Sequence, residues 1–111
     1  MIASATDLLA SLPGKVSAQW PDGKRFAAAL AHGSMSVEVY APRGTDPQTP
    51  HDQDELCFPI SGSATLRIGL DTFTAAAGTA HFVPAGVDHR FETFTADFAT
   101  WVVFWGPKGG E

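Results

Sequence analysis

Residues 34–41, SMSVEVYA, alternate with a period of two. Met35, Val37, Val39 and Ala41 fall on one face, and Ser34, Ser36, Glu38 and Tyr40 on the other. That is the signature of a β-strand, whose successive side chains point to opposite sides. Residues 54–61 (DELCFPIS) repeat it less cleanly, with Asp54, Leu56, Phe58 and Ile60 opposite Glu55, Cys57 and Pro59. The last apolar run, FATWVVFWG, is hydrophobic on both faces: Phe98, Thr100, Val102 and Phe104 against Ala99, Trp101, Val103 and Trp105. One face can fill an interior. The other needs a cover from the N-terminal segment, a second sheet or another subunit.

Between these runs the chain is punctuated by turn residues. KVSAQW at residues 15–20 is a first strand candidate, stopped by Pro21-Asp22-Gly23. RFAAALAH is ambiguous: its alanines suit a helix, its position between turns suits a strand. Residues 42–50, PRGTDPQTP, form a loop by composition. Gly62-Ser63, Gly69 to Asp71, Ala75 to Gly78 and AGVD mark further turns, with ATLRIGLDTFTA, AHFVP and HRFETF as strands between them. Pro84 suits a strand end because it lacks an N–H. Ser4 to Leu12 is expected to form one short helix, capped by Ser4 or Thr6, ended by Pro13-Gly14, and apolar along Leu8, Leu9 and Leu12. About eight short strands and no long helix predict a β-sandwich or a closed double-sheet barrel.

Length and composition narrow this further. With 111 residues the chain suits one domain with a real core. Its 8 Phe and 3 Trp, set among 11 Gly and 8 Pro, favour strands and turns over helices. The net charge of -5 argues against nucleic acid, whose phosphates call for a basic footprint. Cys57 is the lone cysteine, so there is no internal disulfide framework and no four-cysteine zinc site. The N-terminus does not read as a signal peptide, and no apolar run has membrane-spanning length. A cytoplasmic protein is the expectation.

Two segments carry the candidate chemistry: PHDQDELCFPISG (Pro50 to Gly62) and GTAHFVPAGVDHRF (Gly78 to Phe91). If the first is extended, His51, Gln53, Glu55, Cys57 and Pro59 share one face. A face carrying histidine, glutamine and glutamate is costly in an apolar interior unless something satisfies it. A divalent metal of intermediate hardness would do so, with His89 as a further imidazole. The alternatives are hydrogen-bonded pocket histidines, and a Glu55 carboxylate paired with Arg67 or Arg90. Cys57 reads as a buried thiol or, less simply, as a substrate-facing one. His81 and His32 read as structural and surface residues. Phe58, Phe82, Phe91 and Trp101 read as core.

These segments give the chain a resemblance to small single-domain cupins, over roughly residues 35 to 105. The second family motif is complete in Gly78, Pro84, Gly86 and His89. The latter half of the first is present as His51, Glu55 and Gly62, with Gly44 matching its initial glycine loosely. The family's first metal histidine falls on Thr49. The resemblance implies an all-β fold, a small jelly-roll-like double-sheet β-barrel with a short N-terminal helix. Residues 1–33 would supply the helix and first strands, and 34–111 the barrel core. It also implies His51, Glu55 and His89 as ligands of a divalent metal ion (Fe, Mn, Ni or Zn). Thr49, Gln53 and Cys57 are additional pocket candidates, and a register shift could bring Gln48 or Gln53 inward.

The function implied is a metal-dependent enzyme acting on a small organic molecule, of which a dioxygenase is one form. Glu55 is also the candidate catalytic base. The alternative is a non-catalytic binding or sensor cupin, with structural metal or none, a reading favoured by Thr49. A purely structural domain pairing through Trp101, Val103 and Trp105 is a third. The expected partners are a small-molecule ligand and a second copy of the chain in a homodimer, with no membrane association.

Overall fold

A computed structural model describes the whole of Met1–Glu111. One helix, α1 (Ala5–Ala10), precedes eight strands: β1 (Phe26–His32), β2 (Met35–Tyr40), β3 (Asp54–Ser61), β4 (Ser63–Ile68), β5 (Asp71–Ala76), β6 (His81–Val83), β7 (His89–Phe94) and β8 (Ala99–Trp105). They form two antiparallel sheets. One has the order β1-β2-β8-β3-β6 and the other β5-β4-β7. The expected all-β double-sheet fold with a short N-terminal helix is what the chain adopts.

Two expectations differ from the structure, and one ambiguity is settled by it. The helix is shorter than Ser4 to Leu12, because it ends at Ala10 ahead of Pro13, and none of its residues is fully buried. Ser4 is its cap, accepting from the Asp7 N–H at 3.4 Å. The ambiguous RFAAALAH segment is strand β1, paired along β2. KVSAQW is not a strand. Its backbone folds on itself, with Ser17 and Trp20 exchanging N–H···O bonds of 3.0 and 3.1 Å. Lys15 and Lys24 close the base of this loop through a 3.0 Å bond. The loop delivers Trp20 to the barrel mouth.

Register decides which residues face inward, since directly opposed residues of antiparallel strands project to one side. Ser36, Phe104, Glu55 and Val83 are in line across four strands, as are Glu38, Val102, Cys57 and His81. These rows lie on the inner face. The more polar face of β2 is therefore the inner one. The outer rows run Val37, Val103, Leu56 and Phe82, and Val39, Trp101 and Phe58. Phe58 and Phe82 were expected in the core, yet they are 39% and 51% exposed on this outer face.

The core lies between the sheets. Tyr40, Cys57 and Val102 from the larger sheet meet Leu66, Ala75 and Phe91 from the smaller, with Phe98 beside them. The Phe91 and Phe98 rings are 4.8 Å apart at 59°, a tilted packing that adds to their area burial. No helix is long and apolar enough to cross a membrane.

Candidate metal centre

Glu55 sits on β3, one position in from its start, and its side chain enters the barrel. His89 is the first residue of β7 on the facing sheet. His51 lies in the extended stretch before β3. The backbone ties these pieces together: the Gly86 N–H donates to the His51 carbonyl at 2.7 Å. Gly86 adopts a positive φ of 77° there, a turn geometry that glycine enters freely. The Pro84-to-Gly86 turn of the second motif thus fixes the position of the first motif's histidine.

The resulting cluster is tight. His51 Nε2 is 3.4 Å from Glu55 Oε1, and His89 Nε2 is 3.3 Å from the same oxygen. One donor atom from each of the three residues lies within 4.8 Å of the others. Glu55 and His89 are only 2% and 1% exposed. Glu55 Oε1 and His89 Nε2 are fully buried and have no hydrogen-bond partner of proper geometry. Their contact is close in distance but not directed as a hydrogen bond. Leaving two such atoms unsatisfied costs free energy.

A divalent cation fits this arrangement. Ligand bonds of about 2.1 Å at octahedral or tetrahedral angles separate neighbouring donor atoms by ~3.0–3.4 Å. The two contacts to Glu55 fall in that range, while the two histidine donors lie within 4.8 Å of each other. The surrounding groups orient the donors. His89 Nδ1–H donates to the Val87 carbonyl at 2.9 Å, which leaves the Nε2 lone pair aimed at the cluster. The Cys57 thiol donates to Glu55 Oε2 at 2.8 Å, which leaves Oε1 free for the shared point. Cys57 therefore sits behind Glu55 and does not line the cavity. Burial, with Glu55 next to it, pushes the thiol well above its ordinary range, so it stays protonated as a donor.

The two imidazoles respond differently. Burial lowers His51, outweighing the Glu55 charge that would raise it. At His89 burial also works downward, but the close Glu55 carboxylate prevails with the help of the Val87 carbonyl, and the ring is raised. Glu55 is not paired with an arginine. Arg67 is committed to Asp88 and Glu92, at 3.2 Å each.

The other sequence candidates separate. Thr49 lines the cavity beside His51. Gln53 is turned away, its Nε2 donating to the Ser34 and Gly106 carbonyls at 3.0 and 2.9 Å. Gln48 is the glutamine at the site. Its Nε2 donates to Asp46, so its amide oxygen faces His51 Nε2 at 3.4 Å. Asp46, in the proline-rich loop, is buried and also accepts from the Tyr40 hydroxyl and the Phe91 N–H. His81 bonds Thr79 and stays outside the cluster.

Above the cluster opens a cavity of about 310 Å³, lined by Trp20, Phe26, Glu38, Tyr40, His51 and Phe104, with Gln19, Gln48, Thr49 and Val102. That is the small end of ligand pockets, which run ~300–1,000 Å³. Trp20, Phe26 and Glu38 were not singled out from the sequence. For Glu38, the signal was its place on the polar face of β2.

A two-sheet antiparallel barrel with a His-Glu-His cluster at its open end defines the class: a small metal-compatible jelly-roll domain. The model of the cupin domain matches residues 36–105, and the chain belongs to the cupin family. The uncharacterized protein SCO3923 of Streptomyces coelicolor is 42% identical over 81 residues, covering 71% of this chain and 77% of that protein. KdgF from Halomonas sp. superposes with a TM-score of 0.64 at 10% identity, covering 75% of this chain and 78% of its own. A cupin 2 conserved barrel domain protein from Salinispora arenicola gives 0.60 at 19%, covering 73% and 74%. At such identities the solved structures attest the fold alone.

Proposed function

We propose that this chain is a metal-dependent cupin enzyme acting on a small organic molecule, with His51, Glu55 and His89 as the metal ligands. The observation that carries the reading is the pair of buried, unpartnered atoms, Glu55 Oε1 and His89 Nε2, converging with His51. A bound divalent ion would supply Lewis acidity or redox chemistry to the substrate. The chain's own part is to orient the donors through Val87 and Cys57, and to hold the substrate in the cavity. Two imidazoles and one carboxylate suit iron(II), and dioxygenase chemistry is the finer reading that this ligand set supports.

Thr49 stands where the family pattern has its first metal histidine, and a neutral hydroxyl is a poor ligand. Gln48 is the neighbouring side chain best placed to compensate, because Asp46 holds its amide oxygen toward the cluster. A non-catalytic binding cupin is the second reading, and the Thr49 position is what favours it. The cytoplasm is the proposed compartment, supported by the lone thiol. A homodimer is proposed through the outer face of the larger sheet, where Phe58 and Phe82 are exposed and Trp101 lies in the same row as Phe58.

Elemental analysis of protein purified without chelator or nickel resin tests the metal reading. About one divalent ion per chain is expected. His51→Ala should abolish stoichiometric binding, and Gln48→Ala should weaken affinity roughly tenfold, as loss of supporting groups does elsewhere. Protein that arrives metal-free and takes up no ion on addition would sink the proposal.

A further inference from the structure

The cavity above the cluster has an uneven chemistry. Its walls include four aromatic residues, Trp20, Phe26, Tyr40 and Phe104. Trp20 meets Phe26 edge-on at 6.2 Å and Tyr40 edge-on at 6.1 Å. Within this set stands one acid, Glu38. It projects inward from β2 and enters none of the ion pairs of the molecule. No lysine or arginine lines the cavity. Tyr40 gives its hydroxyl to Asp46, so it offers the cavity a ring and not a donor.

Aromatic faces attract cations through the ring quadrupole, most strongly where water is excluded. The chain already shows that preference at this wall: Lys24 Nζ lies 4.7 Å from the Phe26 ring centroid, outside the cavity lining. A half-buried carboxylate in no direct ion pair, with Lys24 acting on it only from a distance, adds an attraction of the same sign. An anionic group seated on the β1–β2 side would meet Glu38 with no lysine or arginine in the lining to offset the repulsion.

We infer that the cavity selects an organic cation, a small molecule with an ammonium group seated against Trp20, Phe26 and Tyr40 and paired with Glu38. This rests on the proposed reading that the barrel mouth is where the small molecule binds. In that pose the cationic end lies on the β1–β2 side and the remainder of the molecule reaches toward His51. Desolvation of the Glu38 carboxyl, reinforced by Glu55, makes it a weak acid. A cationic ligand would reverse that penalty.

Isothermal titration with choline and with its uncharged isostere 3,3-dimethylbutan-1-ol tests the inference, on the full chain as purified and again after chelation. Choline should bind at least tenfold more tightly than the isostere. Glu38→Gln, close in shape and without charge, should weaken choline tenfold or more and leave the isostere unchanged. Trp20→Leu should weaken choline more than the isostere. Equal affinity for the two probes, binding of neither, or an indifferent Glu38→Gln variant would overturn it. Metal content of the same samples separates the two proposals. Stoichiometric metal without cation preference overturns this inference alone, and cation preference in protein that binds no metal overturns the metal reading alone.

Discussion

Burial, reinforced by Glu55 and only partly relieved by Lys24, pushes the Glu38 carboxyl from 4.5 up to about 7. An acid with a raised folded-state pKa holds its proton more tightly when folded. Its stabilising contribution is full below about pH 4.5 and is lost as pH rises through about 7. The linked free energy is on the order of 3 kcal/mol. Chelated wild-type protein should therefore lose about that much stability relative to Glu38→Gln between pH 4.5 and 8, read from urea unfolding at each pH. A constant difference between the two proteins would contradict the assigned burial. The sequence placed Glu38 correctly on the polar face of β2, but it could not say that this face is the inner one. Asp46 was hidden for a similar reason. Its partners Tyr40 and Phe91 come from strands on opposite sheets, and nothing local in PRGTDPQTP marks it as a buried acceptor.

At the scale of elements, the β3–β4 turn is the most tightly constrained junction. Gly62 adopts a φ of 67°, and a Cβ there would come 2.8 Å from Phe98 Cα and 2.4 Å from Thr95 Oγ1. The threonine can rotate, but the backbone of the β7–β8 connection cannot yield without shifting Phe98 in the core. Gly62→Ala combines a left-handed backbone with that clash, and should cost about 2–4 kcal/mol in denaturant unfolding. A loss below about 0.5 kcal/mol would mean that the turn relaxes freely. Periodicity served the strands well because most alternate or carry turn residues at their ends. It failed for KVSAQW, which has strand composition but finds no sheet partner. Its backbone bonds are satisfied within the loop and by Lys24, and its tryptophan is used as a cavity wall.

For the whole molecule, the apolar outer face of the larger sheet is the surface suited to association. Val37, Leu56, Phe58, Phe82, Trp101 and Val103 lie on it, and α1 packs against the β1–β2 side. Exposed apolar area of this kind marks association, and a second copy presents the same stripe to itself under two-fold symmetry. Sedimentation at micromolar concentration should give a dimer, and Val103→Arg should give a folded monomer that keeps its metal content. A monomeric wild-type protein would refute the dimer. The sequence by itself determined the all-β class, most of the strands and the three residue types of the cluster, because period, turn chemistry and donor identity are local properties. Only the tertiary structure decided that His51, Glu55 and His89 share one oxygen-centred point, that Gln48 faces it while Gln53 does not, and that Trp20 and Glu38 enclose the space above. Those outcomes depend on the register between strands distant in sequence, and a one-residue slip would send each of these strand side chains to the opposite face.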